Sequence, residues 1–362
     1  LETVLSYQVL ARKWRPRVFK EMVGQEHVLK ALINALEHNR LHHAYLFTGT
    51  RGVGKTTIAR ILAKCLNCER GVTSEPCDQC AACVEINEGR FIDLIEVDAA
   101  SRTKVEDTRE LLDNVQYAPT KGRFKVYLID EVHMLSGHSF NALLKTLEEP
   151  PPHVKFLLAT TDPQKLPVTI LSRCLQFNLK NMSPDRIVEH LQNVLGEEKI
   201  PFEESALWQL GRSADGSMRD ALSLTDQAIS FGDGKITEAE VNAMLGSIDN
   251  TYIRDMLRAL CDSDGGAILQ HIARMAEHSP DYEQALADLI TLLHRVAIAQ
   301  VLPESIDNTF GDRDEVLGLA KSLAGDEVQL FYQMAILGRR DLPLAPDPRG
   351  GFEMVMLRLL AF

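Results

Sequence analysis

The chain has 362 residues, 45% of them apolar and 25% charged, which suits two or three globular domains of roughly 100–200 residues each. With 22 Gly and 15 Pro it is neither collagenous nor of low complexity, and its most apolar long stretch, Ala285 to Leu302, carries Asp288, His294, Arg295 and Gln300, which excludes a lipid span. The net charge of −12 divides into +3 up to Lys180 and −15 beyond it, so any nucleic-acid contact is expected from the first part.

Leu1 to Leu5 has no basic region leading into an apolar one, so no secretory signal is expected, and the missing initiator Met implies processing or a cloning remnant. The expectation is a cytoplasmic protein. In chain order, His43 to Phe47 reads as a buried strand and Thr56 to Leu66 as a helix. Ile92 to Val97 is a second strand, followed by a helix from Thr103 to Gln116 with Val105, Leu111, Leu112 and Val115 inward. A third strand, Lys125 to Asp130, leads to a helix through Phe140 to Leu147 that stops at Pro150 to Pro152, and Lys155 to Thr160 is a fourth strand. Strands alternating with helices predict an α/β domain whose parallel sheet is covered on both faces.

After Lys180 the strand signals disappear. Ser183-Pro184 opens a helix expected to stop at Gly196, and further helices are expected over Glu203 to Leu210 and Ser217 to Ile229, the last ended by Gly232 to Gly234. From Asn250 on, helices dominate, with breaks at Asp262 to Gly266, Pro303 to Asp312 and Asp341 to Gly351. The predicted domains are 1–180, α/β; 181–246, small and helical; and 247–362, all-α.

Gly49-Thr50-Arg51-Gly52-Val53-Gly54-Lys55-Thr56 matches G-x-x-x-x-G-K-[ST], between a predicted strand and the helix that continues through Thr57. Glycines let backbone N–H groups curl round phosphates, and the helix N-terminus adds partial positive charge. Lys55 is expected to reach the β- and γ-phosphates of ATP, and the Thr56 hydroxyl to bind Mg²⁺. Asp130-Glu131 closes the third strand. There the Asp can hold Mg²⁺ through water and the Glu can polarise the attacking water; an ordinary solvated turn is the bland alternative. His133 reads as a surface or helix-start residue.

Five of the seven cysteines lie between Cys65 and Cys83. Cys68, Cys77, Cys80 and Cys83 have the close spacing of a four-ligand structural Zn²⁺ site within about 65–90, with no position open for catalysis. Two disulfides or free thiols are the alternatives, the former disfavoured in a reducing compartment. Cys65 reads as core.

Together these residues resemble the gamma/tau family of bacterial clamp-loader ATPases, which are AAA+ proteins. The matching stretches are Tyr7 to Pro16, Val23 to Glu26, the P-loop, the cysteine insertion, Asp98 to Lys104, Asp130 to His133 and Leu171 to Cys174. The resemblance covers essentially the whole chain and is tightest up to about Cys174. It implies an AAA+ domain, a helical lid and a C-terminal oligomerisation collar. It also implies a pentameric ring with other loader subunits that opens a sliding clamp and places it on primed DNA. A C-terminal tail beyond this chain would reach the polymerase and the replicative helicase.

The resemblance further implies site roles. Arg173, in Ser-Arg-Cys, would be an arginine finger entering a neighbour's ATP site; otherwise it is a surface arginine paired with a carboxylate. Thr161 would be the first polar sensor, or simply a cap on the turn into Asp162-Pro163. Arg219 would be the second sensor, on the lid, or a solvated first-turn arginine. The basic arm Arg12, Lys13, Arg15 and Arg17 would pack beside the adenine with Ala11 and Val23 rather than bind nucleic acid. Arg102, Thr103 and Lys104 would touch DNA, and Lys145 would link DNA binding to Glu131. Competing readings are a non-hydrolysing scaffold subunit of the same loader and a standalone AAA+ DNA helicase.

Overall fold

Ala44–Thr48 is a run of five buried residues that forms strand β1 at the heart of a parallel sheet. A computed structural model describes residues 8–101, 114–245, 250–277, 280–306 and 312–362 of the chain. The remaining strands are β2 (Leu94–Asp98), β3 (Lys125–Asp130), β4 (Val154–Thr160) and β5 (Leu175–Asn178), in the order β2-β3-β4-β1-β5. Every pairing is parallel, with Thr48 opposite both Thr160 and Asn178 and with Asp98 opposite Asp130. Those strand ends therefore share one edge, and the loops that leave them converge there, as ligand sites do in open α/β sheets.

Successive β1 side chains point to opposite faces. Tyr45 and Phe47 join Leu128 and Leu157 in a core with Leu32 and Leu36 of helix α2 (Glu26–Glu37) and with Ile58 and Leu62 of α3 (Lys55–Asn67), α1 being the short helix Leu10–Lys13. Ala44 and Leu46 join Tyr127, Ile129 and Leu158 in the opposite core. There they meet Leu143 and Leu147 of α5 (Gly137–Glu148), with α4 (Ala81–Glu88) lying between α3 and β2 in the chain. The expected sheet, covered on both faces, is present.

Two compact units are distinguishable: Leu1–Val194 with Gly211–Asp226, and Leu195–Leu210 with Gln227–Phe362. The second is helical. Its main core gathers Leu257, Ile268, Leu289, Val296, Val328 and Phe352 from the helices Asn250–Cys261, Gly265–Ala276, Tyr282–Val301, Gly325–Asp341 and Pro348–Leu360. Among the described residues no helix is long and apolar enough to cross a membrane.

Several boundaries differ from expectation. The helix opened by Pro184 passes through Gly196 to Glu198 and ends where Lys199 turns to a left-handed φ of 57°. A lone glycine costs a helix only about 1 kcal/mol, which the buried Ile187, Leu191 and Leu195 outweigh. Strand β5 was not expected, because Leu175-Gln176-Phe177-Asn178 is a polar-interrupted edge with mostly exposed side chains. Of the helix expected over Thr103 to Gln116, residues 102–113 lie outside the described residues, and Asn114–Gln116 is a 3-10 turn.

Candidate nucleotide site and cysteine cluster

The P-loop follows β1 with three glycines at positive φ: Gly49 (141°), Gly52 (78°) and Gly54 (103°). At Gly49 a Cβ would lie 2.6 Å from the Leu179 carbonyl, and at Gly52 it would lie 1.8 Å from Ser217 Oγ. Only glycine lets the loop pass so close to β5 and to the helix Met218–Phe231. Lys55 opens α3 and is buried, its Nζ donating to the carbonyls of Gly49 and Thr50 at 2.8 Å each. Burial lowers the Lys55 pKa, opposed by the nearby carboxylates of Glu131 and Asp130. Thr56 Oγ1 donates to Asp130 Oδ2 at 2.9 Å, which joins the P-loop helix to the end of β3.

Past β3, Glu131 takes a left-handed φ of 47°, and its Oε2 accepts from Thr161 N at 3.0 Å and from Thr161 Oγ1 at 2.9 Å. Thr161 follows the end of the fourth strand. The strand closes at Thr160 as expected, and the Thr161 amide bonds to the Glu131 carboxylate. His133 lies in the middle of a 3-10 turn, Val132–Met134, and its side chain is only 9% exposed. Its Nδ1 lies 2.9 Å from Thr160 Oγ1 and 3.3 Å from Glu131 Oε2. The sequence signal for this role is its spacing, two residues after the acid at a strand end.

A cavity of about 810 Å³ joins these parts. Its wall includes Lys55, Thr56 and Thr57 of α3, Asp130 and Glu131, Arg51 to Gly54 of the P-loop, Ala11, Arg12 and Arg15 of the N-terminal arm, Val23, and Arg219. Met22, Met182, His190 and Leu222 also line it, and no motif singles them out. Leu10 N anchors the arm to Asp226 Oδ2 at 2.8 Å, and Arg15 Nε donates to Thr57 Oγ1 at 3.2 Å. Burial and then the neighbouring Arg60 lower the Arg15 pKa to about 10. A desolvated cation on this wall favours an anionic ligand.

Thr50 and Arg173 stand apart from that wall. Thr50 Oγ1 donates to Asn181 Oδ1 at 2.5 Å. Arg173 precedes β5, at the edge opposite the P-loop, where Nη1 donates to Thr169 O at 2.8 Å and Nη2 to Glu148 Oε1 at 2.7 Å. Lys145 lies exposed in the last turn of α5. Arg102, Thr103 and Lys104 lie outside the described residues.

The sulfurs of Cys68, Cys77, Cys80 and Cys83 all lie within 4.8 Å of one another, and none is in a disulfide. Tetrahedral Zn²⁺ with bonds of about 2.3 Å needs sulfurs ~3.8 Å apart, so the cluster fits with small adjustments. Backbone N–H groups of Gln79 and Cys80 pull the Cys77 thiol down to about 6. The loop is tied to α3: Asp78 Oδ1 accepts from Lys64 Nζ, which is 1% exposed, at 2.7 Å and from Asn87 Nδ2 at 2.7 Å. Cys65 is fully buried, as expected of a core residue.

A parallel sheet with a P-loop after β1, an acid pair at the end of β3 and an arginine-bearing helix over the loop defines the AAA+ P-loop fold. Family models match in succession: DNA polymerase III, delta subunit, over residues 24–183; the clamp-loader ATPase lid domain over 186–234; and gamma and tau domain III over 236–362. The DNA polymerase III gamma subunit of Buchnera aphidicola (subspecies Baizongia pistaciae) is 46% identical over 98% of this chain and 97% of its own length. The tau subunits of Salmonella typhimurium and Escherichia coli are 59% and 58% identical over 99% of this chain. The chain spans about 56% of the length of each tau subunit. A variant of RuvB from Thermotoga maritima shares the fold, with a TM-score of 0.50 and 21% identity over 68% of this chain and 79% of that one. The chain belongs to the gamma/tau subunit family of the DNA polymerase III clamp loader.

Proposed function

We propose that this chain is an ATP-hydrolysing motor of the clamp loader, coupling ATP binding and hydrolysis to opening a sliding clamp and loading it on primed DNA. The observation that carries the reading is the convergence of Lys55, Thr56, Asp130, Glu131 and Arg219 on one cavity. There the P-loop amides and Lys55 hold the phosphates, Thr56 and Asp130 hold Mg²⁺, and Glu131 accepts a proton from the attacking water as ADP and phosphate form. Mg²⁺ supplies charge neutralisation on the phosphate oxygens when bound. Arg219 contacts the nucleotide from the lid, and Thr161 acts on it through Glu131.

Arg173 completes the site of a neighbouring subunit. Its place outside its own cavity, in an exposed ion pair with Glu148, supports donation to another chain. The division 1–180, 181–246 and 247–362 gives this motor a P-loop domain, a lid and a collar. Its partners are the other subunits of a pentameric ring, the clamp and primed DNA, the last met by Arg102, Thr103 and Lys104 with Lys145 relaying the contact; polymerase and helicase bind through a tail, in the cytoplasm. Zn²⁺ on the four cysteines supplies the cross-links of a segment with little core of its own. The intact Lys55 and Glu131 speak against the scaffold reading.

The test is steady-state ATP hydrolysis by the protein with its loader partners, clamp and primed DNA. Strong stimulation, abolished by Lys55→Ala and by Arg173→Ala, with nucleotide binding kept in the latter, sustains the motor. Nucleotide binding without stimulation by any partner would overturn it.

A further inference from the structure

The Glu131 carboxylate is approached from behind as well as from the cavity. Glu131 lines the cavity, whereas His133 and Thr161 do not. Oε2 of Glu131 takes the Thr161 amide and hydroxyl at 3.0 and 2.9 Å, and His133 Nδ1 stands 3.3 Å from that same oxygen. All three contacts fall on one oxygen. The hydrogen bond of Nδ1 is with Thr160 Oγ1 at 2.9 Å, and Glu131 Oε2 stands beside it at 3.3 Å; a carboxylate oxygen only accepts, so this approach is favourable when Nδ1 carries a hydrogen. Thr160 Oγ1, 2.9 Å from the same Nδ1, accepts from Asp162 N at 3.1 Å and can share the ring hydrogen. Thr160 is fully buried, so the imidazole is seated against a fixed point of β4.

We propose that His133 is a positioning residue that, as the Nδ1–H tautomer, shares Glu131 Oε2 with Thr161, fixing the carboxylate so that Oε1 is the oxygen presented to the attacking water. The inference rests on the reading of Glu131 as the base and deepens it. His133 is not part of the cavity wall. Its role is to hold a long carboxylate side chain in one of the several staggered rotamers open to it.

The chemistry of the ring gives a discriminating pair of substitutions. An Asn amide nitrogen falls near the place of Nδ1, whereas a Gln amide nitrogen falls near that of Nε2, so His133→Asn keeps the contact and His133→Gln loses it. The experiment measures kcat for MgATP in the loader-assembled protein, the Kd of a fluorescent ATP analogue, and thermal melting, for His133→Ala, His133→Gln, His133→Asn and Glu131→Gln. Misplacing a catalytic group lowers rate steeply, so His133→Ala and His133→Gln are expected to lower kcat roughly tenfold to hundredfold. Kd and melting should hold, and His133→Asn should stay within about threefold of wild type. The proposal is overturned if His133→Asn falls as far as His133→Ala, if none of the three changes kcat, or if kcat and nucleotide affinity fall together. Glu131→Gln separates the two readings. If it leaves kcat intact, the assignment of the base fails; if it abolishes turnover while the His133 variants match wild type, only the positioning role fails.

Discussion

Arg173 and Glu148 are joined by a 2.7 Å ion pair between Nη2 and Oε1, with the arginine one-third and the glutamate about half exposed. Such a pair is worth at most about 1 kcal/mol in water, so it holds the guanidinium loosely and releases it readily. Glu148 is the last residue of the helix that follows Glu131 and His133 in the chain. Arg173→Ala is accordingly expected to leave the melting temperature and ATP affinity of the isolated chain unchanged. In the assembled loader it should lower hydrolysis by on the order of 10³-fold or more, the scale of lost arginine fingers. Equal losses in the isolated chain and the assembly would place the side chain's role in its own site.

Gly52 carries a sharper steric demand. With φ at 78° and a Cβ position 1.8 Å from Ser217 Oγ, Gly52→Ala must displace the start of the helix that bears Arg219. A stability loss of about 2 kcal/mol is expected, together with weaker ATP binding. Gly89→Ala is the control: φ is 73°, but no atom lies within 4 Å, so it should cost about 1 kcal/mol and leave ATP affinity alone. Calorimetric melts and nucleotide titration of the two variants decide the matter.

Lys64 is a buried cation whose partner, Asp78, sits in the cysteine loop. Because Asp78 is 24% exposed, part of the pair's energy is screened. Lys64→Met and Asp78→Asn should each cost about 2 kcal/mol, since each removes one charge of the pair, although Asn87 still bonds to Asp78 in the first. The double substitution should cost less than their sum. Additive denaturation energies would show that the two groups act independently.

Metal content gives an independent check on the cluster. One zinc per chain is expected by elemental analysis, reduced to a small fraction by Cys68→Ser or Cys83→Ser, the two buried ligands. A chelator should lower the melting temperature while the isolated chain keeps its P-loop fold. A protein free of metal that melts at the same temperature with and without chelator would remove zinc from the description.

Much of this site was legible because its chemistry is local. The P-loop, the acid pair and the four cysteines are each set by residue types at short spacing, and the alternation of strands with helices gave the sheet. Position along the chain could not reveal what depends on distant partners. The amide and hydroxyl of Thr161 are both taken by a carboxylate thirty residues earlier in the chain. His133 looked like a surface residue because the wall that buries it, Thr160, lies on another strand. Met182, His190 and Leu222 belong to no motif and meet the P-loop only through folding. Strand β5 hid behind Gln176 and Asn178, since an edge strand needs no continuous apolar run.

The sheet also has a polarity with arithmetic attached. Lys55 and Glu131 are carried at the end where the strands finish, and Arg173 stands where β5 begins. If Arg173 enters a neighbour's site as proposed, the chain has a socket at one end and a plug at the other and would make head-to-tail contacts, not two-fold ones. Copies joined in this way would form an arc in which each junction completes one site. An arc left open always has one socket unfilled and one plug unused, and the gap between them is a place where something else can enter.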